Sequence, residues 1–224
     1  MGIESLRGID PLLSDLNDSA LLVRASIDVV TEALCRAKQA VDWRTDVYEH
    51  EVSISGSSLL AFQFRGQSWT FIHELNFLYL EFLEDAQLLS RLLSTDAVSY
   101  AISDTTNFFS YEFFSKGVSV ERLEKDETGR LIFESKLRQI TDNNKFSLSS
   151  RKGVDNFLQQ QDIYIPALIW PEVLRERTLT IMIQGYLSNS SAFADSADDP
   201  VDPITFKSGD FERVDYLRIR SVER

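Results

Sequence analysis

Two histidines, one cysteine and a scatter of serines and carboxylates carry the chemical reach of this chain. His50 and His73 both fall on the apolar phase of alternating runs, beside aromatic residues. A zinc or iron site would need both imidazoles on one ion, at about 2 Å from it. The runs around them read as strands at 47–55, 59–65 and 68–74 in a meander. The turn at Gly66-Gln67 suits a type II′ hairpin and pairs Leu60 with His73 and Phe62 with Phe71. The next pairing, Ile54 with Leu60 and His50 with Phe64, sets the two histidines four residues and two strands apart. That is on the order of 17 Å, too far for one metal. No metal or other cofactor is expected.

Cys35 sits off the centre of a helical apolar stripe, and no local sequence signature pairs it with either histidine as the base a reactive thiolate needs. It reads as an inert, partly buried thiol. There is no G-x-S-x-G elbow, no P-loop and no G-x-G-x-x-G. His73-Glu74 is followed by Leu75, Asn76 and Phe77, so the second histidine of H-E-x-x-H is missing. The acidic stretch 188–203 does not fit a calcium loop. Counting from Asp195, Pro200 stands where the tight turn needs Gly, and Phe206 where a bidentate Glu belongs. Two loop residues remain as ligand candidates. Asp104 lies in the polar connection Ser103–Asn107, and Arg65 lies at the hairpin turn, where it could meet an anion. With His50 and His73 they form the set to inspect for a site assembled from distant residues.

Composition narrows the partners. The net charge is −12, which opposes the phosphate neutralisation on which nucleic-acid affinity rests and disfavours anionic membrane surfaces. It permits a basic protein partner, steered by charge, although solubility alone is the commoner reason for such acidity. One cysteine is not a disulfide framework. Residues 1–13 lack a basic start followed by an apolar run, and Leu75–Leu93 is interrupted by Glu81, Glu84, Asp85 and Arg91. A cytoplasmic location without signal peptide or membrane span is the expectation.

The elements that must hold these residues follow from periodicity. Val23, Ile27, Val30, Leu34, Ala37 and Val41 recur at helical spacing, predicting a helix from Ala20 to about Asp42 capped by Asp18 or Ser19. A second helix is predicted over 80–94 and a third over 154–161. Further strands are predicted at 97–103, 108–115, 118–124, 130–138, 178–184 and 211–219, with turns at Lys116-Gly117 and Asp126–Gly129. A strand–helix–strand passage at 68–103 suggests a crossover that would set strand 97–103 parallel to a neighbour. The fold class is α+β. It has a largely antiparallel sheet, with room for one parallel pair, built from two meanders with helices packed on one face. Residues 1–140 form the core domain, 141–153 a polar linker candidate, and 154–224 an extension or subdomain that can also continue the same domain. Two functions fit: a non-enzymatic interaction module, such as an adaptor, a chaperone-like protein or an inhibitor of a basic partner, and a small-ligand binder or enzyme. The missing catalytic motifs favour the first.

Overall fold

A computed structural model describes residues 17–54, 57–75, 82–103, 106, 108–139, 148, 151–163, 179–187 and 206–219. Within them the strands are β1 (Asn17–Val23), β2 (Ala40–Arg44), β3 (Glu51–Ile54), β4 (Ser57–Phe64), β5 (Thr70–Glu74), β6 (Asp96–Ser103), β7 (Phe108–Ser115), β8 (Val118–Lys125), β9 (Leu131–Ser135), β10 (Leu179–Met182) and β11 (Phe211–Ile219). The helices are α1 (Ile27–Lys38), α2 (Leu83–Leu92), α3 (Arg151–Gln159) and the single turn α4 (Ile183–Tyr186). Nine strands form one sheet in the order β2-β11-β4-β5-β1-β6-β7-β8-β9, and β10 pairs with β3 in a two-stranded sheet. Every pairing is antiparallel.

The largest correction concerns the first element. Residues 17–23 are not helix but β1, hydrogen-bonded between β5 and β6. Ala20, Leu21, Leu22 and Val23 are all fully buried. A strand covered on both faces is apolar at every position and shows no period of two. Val23 therefore falls by accident into phase with the helix behind it. That helix starts at Ile27, and its first amide donates to Gln63 Oε1 of β4 at 3.0 Å, not to a local cap. It ends at Gln39, which takes the left-handed conformation (φ 52°) usually given to glycine.

The hairpin β4–β5 has the predicted register, with Leu60 opposite His73 and Phe62 opposite Phe71. Its turn differs. Gln67 N–H donates to the Phe64 carbonyl and Gly66 has φ +77°, so Gly66 is the second central residue, as in a type II turn. The predicted pairing of strand 47–55 with β4 does not occur. The place beside β4 belongs to β11, and β3 pairs with β10 instead. The first meander is thus only a hairpin. The second, β6 to β9, runs through four consecutive strands. The crossover through α2 is present, but β1 occupies the slot between β5 and β6, so β6 has only antiparallel neighbours. The C-terminal strand β11 lies inside the sheet, between β2 and β4.

Helices cover both faces rather than one. On the first face, α1 and α2 place Ile27, Val30, Leu34, Phe82, Ala86 and Leu89 on Leu21, Val23, Ala61, Ile72, Ala97 and Phe114. The second face is aromatic. Phe62, Phe64, Phe71, Phe211 and Tyr111 pack there with Val154, Phe157 and Leu158 of α3 and with Ile183 and Tyr186 of α4. Phe62 and Phe71 stack at 5.3 Å, a direct product of their cross-strand pairing. Leu148, within the predicted linker, is buried on this face. Residues 140–147 and 149–150 of that region lie outside the described residues, as does the acidic stretch 188–203.

The β7–β8 turn is tied to α2. Lys116 and Gly117 both have positive φ (51° and 82°), the pattern of a type I′ hairpin. Gly117 N–H donates to Ser90 Oγ at 2.9 Å. A Cβ on Gly117 would lie 2.6 Å from Arg91 Cβ. Gly129 has the same conformation (φ +83°) with nothing near the added carbon. Gly129→Ala should therefore cost only the left-handed strain, about 1–2 kcal/mol. Gly117→Ala should cost more, by about a further 1–3 kcal/mol of overpacking. Urea denaturation of both variants checks this; equal losses would show that α2 and the hairpin are not in tight contact.

Candidate functional site

The helix α2 is too short for the strands it covers. Ten residues of helix span about 15 Å, whereas the eight-residue strands β6, β7 and β8 each run about 27 Å. Where α2 begins, at Phe82 and Leu83, no described helix covers the sheet beyond it, and the described residues leave an open cleft of about 500 Å³. The strands respond by placing small or polar side chains in the phase that faces it. Two cross-strand rows run over its floor. One aligns Ser99 with Glu112, Glu112 with Arg122, and Arg122 with Glu134. The other aligns Ser19 with Ala101, Ala101 with Ser110, and Ser110 with Glu124.

Arg122 is the cation of this floor, and it is ion-paired to Glu124. The hydrogen bond to Glu124, followed by the charges of Glu124, Glu112 and Glu134, holds its guanidinium above the usual range despite partial burial. One guanidinium between the lining carboxylates Glu112 and Glu124, with Glu134 beside it on β9, leaves the cleft with surplus negative charge. The pair is solvent-exposed, with Arg122 48% accessible, so it adds little to stability.

The residues singled out from sequence do not meet here. His73 lies in the middle of the sheet on its aromatic face, fully buried, stacked at 6.1 Å on Phe62. Burial pushes its pKa down to about 3, which leaves a neutral imidazole at physiological pH. His50 is exposed ahead of β3, its amide donating to the Val47 carbonyl and its carbonyl accepting from Ile183 N–H. The register used to separate the two histidines fails with the β3–β4 pairing, but one is exposed and the other sealed. Arg65 donates from Nε to the Gly209 carbonyl at 3.0 Å and from its terminal nitrogen to the Phe211 carbonyl at 3.2 Å. It fastens the hairpin turn to β11. Asp104 lies outside the described residues. No group of three or more His, Cys, Asp or Glu able to hold a metal occurs among the described residues.

Comparison with protein-family models, curated proteins and solved structures finds no match.

Two buried charge networks were not foreseen. Glu121, 1% exposed, accepts from Tyr111 Oη, Ser135 Oγ and both ends of the Arg138 fork, at 2.8–3.1 Å. Arg138 lies 4.0 Å over the Phe157 ring and so ties α3 to β8. On the opposite face Asp215, fully buried, accepts from Trp43 Nε1, the Asp46 amide and Arg213. Burial, and then the Asp215 charge, raise the Cys35 thiol to about 11, so it is protonated at neutral pH. The alternation of β8 and β11 hinted at both carboxylates, since each occupies a core phase. The cleft had its own signal: Ser99, Ala101, Ser103, Ser110, Glu112, Arg122 and Glu124 all lie in the polar phase of three successive strands.

His73 generates a pH prediction. The unfolded histidine titrates near 6.5 and the folded one near 3, so between these values the unfolded chain holds the extra proton. Stability from this group is complete above the unfolded pKa and falls as pH drops towards the folded one, by up to about 1.4 kcal/mol per pH unit. In His73→Leu the decline between pH 6.5 and about 3 should be shallower than in the unmodified protein. Parallel stability curves from urea titrations across that window would contradict the assignment.

Proposed function

We propose that the chain is a non-enzymatic interaction module that receives a basic segment of a partner protein in the cleft beside α2. The observation that carries this reading is the surplus of carboxylate around Arg122, set on the stretch of sheet beyond the start of α2 that no described helix covers. Glu112, Glu124 and Glu134 provide acceptors for lysine or arginine. Phe82, Leu83 and Phe108 provide apolar surface for the aliphatic stems of such residues. The net charge of −12 adds long-range steering of a cationic partner. No helix among the described residues is long and apolar enough to cross a membrane, and a single cysteine, which builds no intrachain disulfide, suits a reducing, cytoplasmic setting.

A second reading has its own support. The cleft volume, about 500 Å³, falls in the range of small-molecule sites, and Ser19, Ser99, Ser103 and Ser110 bring hydroxyls to it. A small cationic ligand would use the same carboxylates.

A fluorescent lysine- and arginine-rich peptide, titrated with the protein at low and at moderate salt, tests the interaction reading. Binding should weaken with salt, and should weaken by about tenfold or more in Glu112→Lys/Glu124→Lys. A double reversal at exposed carboxylates away from the cleft, Glu32→Lys/Glu49→Lys, should leave most of the affinity. Equal losses in both variants would show that total charge, not the cleft, attracts the peptide.

A further inference from the structure

Among the described residues the nine-stranded sheet ends at β2 and at β9, and these two edges are unlike each other. Edge strands offer unpaired amides and carbonyls to any extended chain, and proteins usually blunt them with charge. At β9 the flanking residues do this. An antiparallel pairing of β9 with a second β9 about Phe133 would set Arg130 against Lys136 at both ends, like charge against like. At β2 the pattern is the reverse. A two-fold pairing about Trp43 would set Asp42 of each copy against Arg44 of the other, and Trp43 against Trp43. The sequence Asp42-Trp43-Arg44 is therefore self-complementary in charge.

The structure presents that triplet ready for use. Asp42, Trp43 and Arg44 stand in regular register with Arg218, Leu217 and Tyr216, and the strand's one irregularity lies before them, towards Ala40. Trp43 is 42% exposed and Val41 50% exposed. The Trp43 indole is held in place by its hydrogen bond to buried Asp215 at 3.1 Å, so little freedom is lost when the ring is covered. Asp42 and Arg44 already pair within the strand at 3.1 Å. In a two-fold pair they would become an alternating ring of four charges.

We propose that β2 is a homodimer edge, joining two copies of this chain through antiparallel β2–β2 pairing centred on Trp43 into one continuous sheet. Trp43 supplies the apolar centre, as aromatic anchors do in interfaces, and the Asp42–Arg44 exchange fixes the register. The strand is short and both copies carry net charge −12, so the dimer belongs to the weak, micromolar class. Salt near physiological strength screens the long-range repulsion over about 8 Å. The surface is separate from the cleft beside α2 and does not depend on the reading given to it.

Sedimentation velocity between about 1 and about 200 µM, a span that brackets micromolar affinity, tests this. The unmodified protein should pass from monomer to dimer. Asp42→Arg and Arg44→Asp should each remain monomeric, because each sets like charges across the two-fold axis. Mixed in equal amounts, these two variants should dimerise, since the introduced arginine of one then faces the introduced aspartate of the other. The double exchange Asp42→Arg/Arg44→Asp should dimerise alone, which covers the case in which a single variant fails to fold. A monomeric unmodified protein, dimers that persist in both single variants, or a mixture that stays monomeric would each overturn the proposal.

Discussion

Everything in the sheet depends on β1 being closed in between β5 and β6. Among the described residues it is the one strand that hydrogen-bonds to both the β4–β5 hairpin and the β6–β9 meander. Its two phases feed the two faces. Leu21 and Val23 join the helical side and Ala20 and Leu22 the aromatic side. Full burial of each large side chain is worth about 1.5–3 kcal/mol. Ala20 also decides what its neighbours can be. It stands between His73 and Tyr100 in one cross-strand row, and its small size leaves room on either side for those larger residues.

From that spine the candidate cleft follows. With β1 central, α2 lies across β1, β6 and β7, and its C-terminal end is fixed by Ser90 and the Gly117 turn. The helix cannot reach the other end of the strands, so among the described residues part of the sheet is left without a helix there. Opposite-face fastening is supplied by Glu121, whose four hydrogen bonds leave no lone pair for substrate chemistry. Buried, saturated carboxylates of this kind are costly to break and fix the arrangement of the parts they join. The open face carries the exposed carboxylates instead, where charge is available to a visitor.

The sequence was legible where one face met solvent or a tight turn intervened. Strands 108–115 and 211–219 have the bounds that alternation predicts, and the Leu60–His73 register follows from the Gly66 turn. It failed where burial is two-sided. Ala20–Val23 shows no period, and its accidental phase with Ile27 extended the predicted helix backwards across a turn. Partner choice also escaped: nothing in Tyr48–Ile54 distinguishes pairing with β4 from pairing with β10, 125 residues later in the case of Ile54 and Leu179. Of the site residues, the histidines drew attention as rare chemistry, yet His73 is core and His50 surface. The cleft residues are common types, and their significance lies only in sharing a phase across three strands.

Native-state hydrogen exchange on the full chain tests the central claim most directly. If β1 holds the two halves together, the amides of Leu21, Leu22 and Val23 should exchange only through global unfolding, with the highest opening free energy in the chain. Exchange at these amides faster than in β4 or β7 would mean that the halves close without β1, and that the spine is placed by them instead.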